Sequence, residues 1–515
     1  MNLLGINSFF EHPSAALLTG NKLSGAVEEE RLTGIKGGKK YSAYVPFIPL
    51  NSIINVLEIG NITSDDIDAI AYSYSPSAHF WSPFKSLLGK RFSSFKEELA
   101  AKHTVNKIPD TLYTSIVPSK YQHILNTASL KQKPFFFFNH HLCHAVSSYC
   151  CSGFGDALVM VIDGSGENYC TSVYTVISGK IKRIGGQDLP SSLGLLYSLV
   201  TSHLGFDSFQ DEFKVMGLAA YGEPVYLKEF SAIVSLSENG NYQVSKNALK
   251  NLDRLFGKKR TPDEEITDKH RNIASSLQRC YENTVMHILS YYKKKTGLSN
   301  LCVAGGSFLN CVCNGKIAAA GLFDDIFVLP ASDDSGTAIG AAALVNYKSK
   351  GYLEQLEYQD FFLGRQYHSN IIHKILQDAK VPYEEYSNDG LLAKKIAAQL
   401  TEGKIGGLFR GRMEFGPRAL GNRTMLSTAD KPEYLGMINK IKGREGFRPV
   451  APIVKAEKAA EYFNGKTSEY MTFTAAATEK AKTVIPAAIH ADGTARVQLV
   501  TKESNPFLYL VLDEY

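Results

Sequence analysis

The order strand, loop, hairpin occurs twice in this 515-residue chain, and that repetition limits its fold more than any other feature. The first copy starts with the apolar run Leu3 to Ile6 and passes through a polar loop at Asn7 to Ser14. It continues as Ala15 to Leu18, a turn at Gly20 and Asn21, and Leu23 to Val27, which runs into the acidic Glu28 to Glu30. The second copy starts with Ala157 to Ile162, followed by the loop Asp163 to Glu167. It continues as Cys170 to Ile177, a turn at Ser178 and Gly179, and a strand from Ile181. Short apolar runs separated by Gly-containing turns are strand and hairpin signals. Two such units predict a divergent internal duplication.

Further along, Ile273, Leu277, Tyr281, Ile288 and Tyr292 fall at helical spacing within Asn272 to Lys295. Lys293 to Lys295 then lie at the negative end of the helix dipole, and Gly297 is a suitable stop. Leu301 to Ala304 reads as a strand entering Gly305-Gly306, and Ile326 to Leu329 as another entering Ser332 to Gly336. Each delivers a loop to one edge of a sheet, where open α/β folds bind ligands. The stretch 351–370 breaks this rhythm and is expected to connect a duplicated domain at 1–350 (about 1–150 and 151–350) to a smaller one at 371–515. In the latter, Leu391 to Leu400 is an expected helix and Ile405 to Phe409 an expected strand.

Composition excludes several classes. No window approaches the roughly 18 uninterrupted apolar residues of a bilayer span. The first twenty residues lack a basic leader and are interrupted by Asn7, Glu11 and His12, so no signal peptide is expected. Eight scattered cysteines without a CxxC pair fit reduced thiols in a cytoplasm. A net charge of +5 is small for this length and argues for no particular partner; nucleic acid, which would need a focused patch, is not expected, but basic residues concentrate between Arg410 and Arg448. That concentration suits a small polyanion.

Three histidines, His140, His141 and His144, follow the expected buried strand Phe135 to Phe138. On a helix, the spacing of His140 and His144 places both imidazoles on one face, within reach of one transition-metal ion. Hydrogen-bonded histidines at a helix start are the alternative. A third ligand could come from Asp333 or Asp334, whose other role is helix capping; Cys143, between the two histidines, is expected to face away.

Asp163-Gly164-Ser165-Gly166-Glu167 after an apolar strand suits a phosphate or metal loop, because Gly lets backbone amides approach oxygens while Asp orients Mg2+ or water. Gly305-Gly306 with Asn310 could present amides to phosphate in the same way, or form only a tight turn. No GxxxxGK[ST] stands at a strand-to-helix junction. Arg412, Arg418 and Arg423 lie close enough to line one loop, where guanidinium groups bind phosphate bidentately; surface ion pairs are their other fate.

Taken in order, these segments resemble the carbamoyltransferase family of nodulation protein U and tobramycin O-carbamoyltransferase. The matching stretches include LLGIN with His12, VEEER at Val27 to Arg31, NHHLCHA at Asn139 to Ala145 and IDGSGE at Ile162 to Glu167. FKVMGLAAYG at Phe213 to Gly222, AGGSFLNC at Ala304 to Cys311, GRMEFGPRALGNR at Gly411 to Arg423, KGREGFRPVAP at Lys442 to Pro452 and DGTARVQ at Asp492 to Gln498 complete them. The resemblance implies an α/β fold with a duplicated actin-like ATPase (ribonuclease-H-like) core, followed by a smaller α+β carbamoyl-phosphate-binding domain.

It also implies a reaction. Carbamoyl phosphate is cleaved in the C-terminal domain, the carbamate attacks the α-phosphate of ATP to give carbamoyladenylate and pyrophosphate, and a small-molecule hydroxyl or amine takes the carbamoyl group. By motif, His140, His144 and Asp334 are the implied ligands of a divalent metal, iron(II) ahead of zinc, beside Mg2+. Asp163, Gly164, Lys214, Gly305, Gly306 and Asn310 are implied nucleotide contacts, and Arg412, Arg418, Lys442, Arg444 and Arg496 grip carbamoyl phosphate. His12 and Lys36 are candidates for orienting carbamate or acceptor. The family carries a further strand and an NTSFN-like loop after the DGTARVQ stretch, so a companion chain is expected to complete that domain; a homodimer is a second expected assembly.

Three other readings compete. A sugar-kinase-like phosphotransferase would release ADP and leave the basic second domain without a role. A tRNA-modifying enzyme calls for a basic surface and a threonylcarbamoyl donor. A nucleotide-binding scaffold subunit has no need of the His140, His144, Asp334 set.

Overall fold

The strands anticipated in the first copy form. β1 (Asn2–Asn7), β2 (Ser14–Thr19) and β3 (Lys22–Glu28) make an antiparallel meander, with Leu3 opposite Leu18 and Ala15 opposite Val27. On the other side of β1, β4 (Ala69–Tyr72) and β5 (Phe135–Phe137) add in parallel, giving the order β3-β2-β1-β4-β5. The structure is a computed structural model and describes residues 1–38, 47–76 and 106–515. Residues of β1 and β2 are buried almost without interruption, as sheets covered on both faces require. β5 is only half-buried, against the expected buried strand at Phe135 to Phe138, because it closes the sheet as an edge with β4 on one side.

The second copy repeats this. β6 (Ala157–Ile162), β7 (Tyr169–Ile177) and β8 (Lys180–Asp188) form the meander. A small hairpin, β9 (Val234–Leu236) with β10 (Tyr242–Val244), stands apart from it. β11 (Asn300–Ala304) and β12 (Asp325–Val328) then join β6 in parallel. The order β8-β7-β6-β11-β12 matches that of the first sheet strand for strand, in direction as well as position. Two five-stranded sheets of this topology, with helices between the parallel strands, define a duplicated actin-like, ribonuclease-H-like α/β core.

The anticipated long helix spans Asp268–Thr296 and ends on Gly297 at φ 69°. Two other helices lie between the sheets' parallel strands and carry the site. His140–Cys150 starts on Asn139, whose side chain accepts from Leu142 N, and Thr337–Lys350 follows the loop after β12. They approach closely: a Cβ on Gly340 would lie 1.9 Å from the Cys143 carbonyl oxygen. Only glycine permits that spacing.

Chain contacts divide the molecule into Met1–Tyr358 and Gln359–Tyr515. Residues 351–358 are tied into the first unit, with Leu353 N donating to Gly179 O and Leu356 N to Cys150 O. The second unit is built from short sheets. β13 (Gly406–Phe409) pairs with β14 (Arg423–Leu426), and β15 (Ile453–Lys455) with β19 (Gln498–Val500). β16 (Phe463–Asn464), β17 (Ala475–Ala477) and β18 (Thr494–Ala495) form a third sheet. The expected helix at Leu391 to Leu400 runs over Asp389–Thr401, and its apolar face packs with Phe507, Leu508 and Val511.

Candidate active site

The parallel strands of both halves end in loops that meet one another. Glu11 N, after β1, donates to Asp334 Oδ2 at 2.9 Å, in the loop after β12. Gly306 N, after β11, donates to Asp163 Oδ1 at 3.2 Å, in the loop after β6, and Gly305 N donates to Ser332 O at 2.7 Å. Gly305 sits at φ 96°, and a Cβ there would lie 2.2 Å from Ile162 O, so glycine alone lets these loops close.

At their meeting point four side chains converge. His140 Nε2 lies 3.3 Å from both Asp163 Oδ2 and Asp334 Oδ1. His144 Nε2 lies 3.4 Å from Asp334 Oδ1 and 3.7 Å from Asp163 Oδ2, and the two Nε2 atoms are 3.2 Å apart. Ligand atoms of all four are within 4.8 Å of one another, and all four residues are buried. His140 Nδ1 faces the Ser73 carbonyl at 3.3 Å and can only donate to it, which leaves the Nε2 lone pair for the cluster. The histidine pair and Asp334 therefore come together, joined by Asp163, which sequence reading placed among the nucleotide contacts. Cys143 is buried outside the cluster, and Asp333 caps the following turn through Ser335 N.

Within the cluster each group's charge is set by its neighbours. Burial opposes protonation of His140, yet Asp334 and Asp163 outweigh it and hold the imidazole up to about 10. Asp334 is brought down to about 2, with His140 and His144 prevailing over burial and over the Asp163 charge. Two carboxylates and two imidazoles aimed at one point fit a divalent cation, whose charge would take the place of those protons. The mixed nitrogen and oxygen set suits iron(II), zinc or manganese.

Glu167 supports this arrangement and was not singled out by sequence, although it ends the IDGSGE stretch. It is fully buried and accepts from His140 N at 2.9 Å, Asn139 Nδ2 at 2.6 Å and Ser75 N at 2.8 Å. It fixes the start of the helix that carries both histidines.

The other candidates are distributed. Gly164 lies beside Asp163, its carbonyl accepting from Ser192 Oγ at 2.8 Å. Asn310 pairs reciprocally with Gln278 and caps the helix Cys311–Ala319 through Cys313 N. Lys214 and Lys36 meet on a residue that sequence missed, Asp211, at 3.0 and 3.5 Å. Burial pushes the Asp211 pKa up, and the Lys214 hydrogen bond foremost brings it below the ordinary value. His12 adopts φ 49° in the loop after β1. Burial opposes its charge, and Asp333, Glu28 and Asp334 outweigh burial to hold it up to about 9.

In the second unit Lys442, Arg444 and Arg496 come together with Arg448. Partial burial, then Arg448 and Arg496, push Arg444 down to about 10, and Lys442 is lowered by burial and by Arg444, Arg448 and Arg496. Arg444 also donates within the protein, from Nε to Asn439 Oδ1 at 2.5 Å and from Nη2 to Pro449 O at 3.5 Å, while Arg412 Nε and Nη2 donate to the carbonyls of Gly364 and Leu363 and brace the chain entering this unit. The 411–423 loop is itself held by Glu414, whose Oε1 accepts from Leu420 N, Asn422 N and Arg423 N. Arg418 is buried in that loop.

Strand order defines a duplicated actin-like core, with the four-donor cluster where its two halves meet. Two family profiles match the chain, Carbamoyltransferase N-terminus over residues 2–343 and Carbamoyltransferase C-terminus over 397–515. The chain belongs to the carbamoyltransferase family. Nodulation protein NolNO of Sinorhizobium fredii is 33% identical over 523 residues, which is 99% of this chain and 72% of that protein. Nodulation protein NolO of Bradyrhizobium diazoefficiens is 36% identical over 390 residues, 73% of this chain and 70% of that one. An uncharacterized protein of Synechocystis is 32% identical over 555 residues, covering 100% and 89%. Among solved structures, full-length HypF in its phosphate- and nucleotide-bound form aligns with a TM-score of 0.36 at 13% identity, over 68% of this chain and 56% of that one. The fold rests on strand order rather than on that likeness.

Proposed function

We propose that this carbamoyltransferase uses ATP to move a carbamoyl group from carbamoyl phosphate, through carbamoyladenylate, to a hydroxyl or amine of a small natural product. The observation that carries the reading is the four-donor cluster of His140, His144, Asp163 and Asp334 set among amide-bearing glycine loops. A divalent metal held there, iron(II) ahead of zinc, would neutralise phosphate charge as the adenylate forms.

The chain's own groups do the rest. Lys442, Arg444, Arg448 and Arg496 bind carbamoyl phosphate, which water cleaves to carbamate and phosphate. Gly164, Gly305 and Gly306 bring backbone amides to the ATP phosphates, beside Mg2+, while a carbamate oxygen attacks the α-phosphorus and pyrophosphate leaves. His12, charged at neutral pH, is suited to hold the carbamate anion. Lys36 and Lys214, paired on Asp211, supply positive charge for phosphate. The acceptor oxygen or nitrogen then attacks the carbamoyl carbon, AMP leaves, and the acceptor's proton passes to base.

No described helix is long and apolar enough to cross a membrane. All eight cysteines are buried and unpaired, which supports a reducing cytoplasm.

Product analysis with ATP, Mg2+, iron(II) and carbamoyl phosphate tests the reading. AMP and pyrophosphate formed only when carbamoyl phosphate is present support it. ADP as the nucleotide product overturns it in favour of phosphotransfer.

A further inference from the structure

A cleft of about 270 Å3, counting the solvent it opens onto, lies wholly within the second unit, between the segment that begins that unit and the start of β19. Its walls are mostly carbon, with Phe361, Leu420 and Tyr470 among them, yet three oxygen-bearing side chains, Asp360, Glu469 and Gln498, line it as well. Gln498 is only 3% exposed, and its Oε1 has no hydrogen-bond partner. The amide cannot be turned round, because Nε2 donates to the Leu420 carbonyl, which can only accept. An acceptor is thus left over in a side chain that lines the cleft.

The two acids add to that surplus. Asp360 Oδ1 accepts from Phe362 N at 2.8 Å, which leaves Oδ2 outside that bond, and the Ser504 hydroxyl lies beside Glu469. Burial raises both carboxyls above their ordinary range, against Phe362 N and Arg412 for Asp360 and against Ser504 for Glu469, and the charge of Asp360 raises Glu469 further. Donors in the same walls are engaged within the protein, Leu499 N with Ser468 O at 3.0 Å and Asn505 Nδ2 with Asn422 Oδ1 at 3.2 Å. The cleft therefore calls for a positively charged donor. A calcium ion takes six to eight oxygens, which walls of carbon do not supply. An ammonium group on a short alkyl chain meets both halves: three N–H donors for three acceptor side chains, and methylenes for the apolar wall. The rings of Phe361 and Tyr470, edge to face with centroids 5.3 Å apart, add aromatic surface that favours a cation.

We propose that this cleft is a binding site for a primary alkylammonium group, held by the carboxylates of Asp360 and Glu469 and by Gln498 Oε1. The inference goes beyond the reaction above and does not depend on it. An organic cation without N–H groups would leave the buried Gln498 acceptor unpaired, which predicts a preference for the primary ammonium of about tenfold or more.

The test is saturation-transfer NMR on the full chain with n-butylammonium, n-butyltrimethylammonium and n-butanol as probes and calcium as competitor. Wild-type protein is expected to bind butylammonium saturably, and about tenfold more tightly than either the trimethyl analogue, which keeps the charge without N–H groups, or butanol, which has no charge. Asp360→Asn and Glu469→Gln keep shape and remove charge, and each is expected to weaken butylammonium about tenfold with the circular dichroism spectrum unchanged. Wild-type protein that shows no saturable binding of butylammonium overturns the proposal, as does equal affinity for the trimethyl analogue. Affinity unaltered in both variants places the probe elsewhere and overturns it too. Calcium that binds more tightly than butylammonium and displaces it makes the cleft a metal site and overturns the ammonium assignment.

Discussion

His140 Nε2 and Asp334 Oδ1 stand 3.3 Å apart, one on the helix after β5 and the other in the loop after β12, so each half of the duplicated core supplies part of one cluster. Asp163 Oδ2, at the same distance from His140, completes it from the loop after β6. If Asp163 is a metal ligand, Asp163→Ala lowers the metal content of purified protein by at least tenfold, as His144→Ala does. Elemental analysis decides the point, because a residue that touched only nucleotide would leave metal content at the wild-type level.

Glu167 acts through its neighbours. Glu167→Gln keeps its size but weakens the acceptor of His140 N, and outer partners of metal ligands are worth about 10–100-fold in affinity. Competition with a chelator is expected to show that loss while the circular dichroism spectrum stays unchanged. An unaltered metal affinity would contradict the positioning role.

Two arginines should differ in their effect on KM. Arg444→Ala removes a cation that lies near Arg448 and Arg496, so KM for carbamoyl phosphate rises about tenfold or more, beyond any loss of Tm from its bonds to Asn439 and Pro449. Arg412→Ala removes donors to Gly364 O and Leu363 O, with an expected cost of about 1–3 kcal/mol in stability. Steady-state kinetics and thermal unfolding of the two variants separate these outcomes.

Stability should respond to pH through His490. Burial, opposed by Asp492 and assisted by Arg496, holds its pKa down to about 4 against an ordinary 6.5. Below about 6.5 the unfolded chain binds a proton that the folded one refuses, so the stability due to the neutral ring is present above that value and lost as pH falls toward 4. Tm of the wild type is therefore expected to fall more steeply than that of His490→Phe between pH 6.5 and 4. Parallel curves would contradict this.

Sequence exposed those parts of the site that depend on local periodicity. His140 and His144 could be paired because four residues on a helix make one turn, and the doubled meander could be read because hairpins leave local turn signals. Asp163 was legible as a loop carboxylate, but its direction was not, since the side chain is turned by Gly306 N from a strand far along the chain. Glu167 escaped for the same reason, since Ser75, Asn139 and His140 reach it only through packing, and so did the Lys36 partner of Asp211, although Lys214 lies only three residues from it. Arg412 could be read as a cation of the 411–423 loop, but its bonds to the Gly364 and Leu363 carbonyls could not, because an arginine that braces carbonyls and one that binds phosphate look alike in sequence. Half-buried β5 followed from its edge position, which four consecutive phenylalanines conceal.

The measurement closest to the central claim is isotope exchange between labelled pyrophosphate and ATP in the metal-loaded wild-type protein. The account predicts exchange that requires carbamoyl phosphate and disappears in His140→Ala and Asp334→Ala. Exchange independent of carbamoyl phosphate, or ATP cleaved to ADP without any exchange, would contradict it.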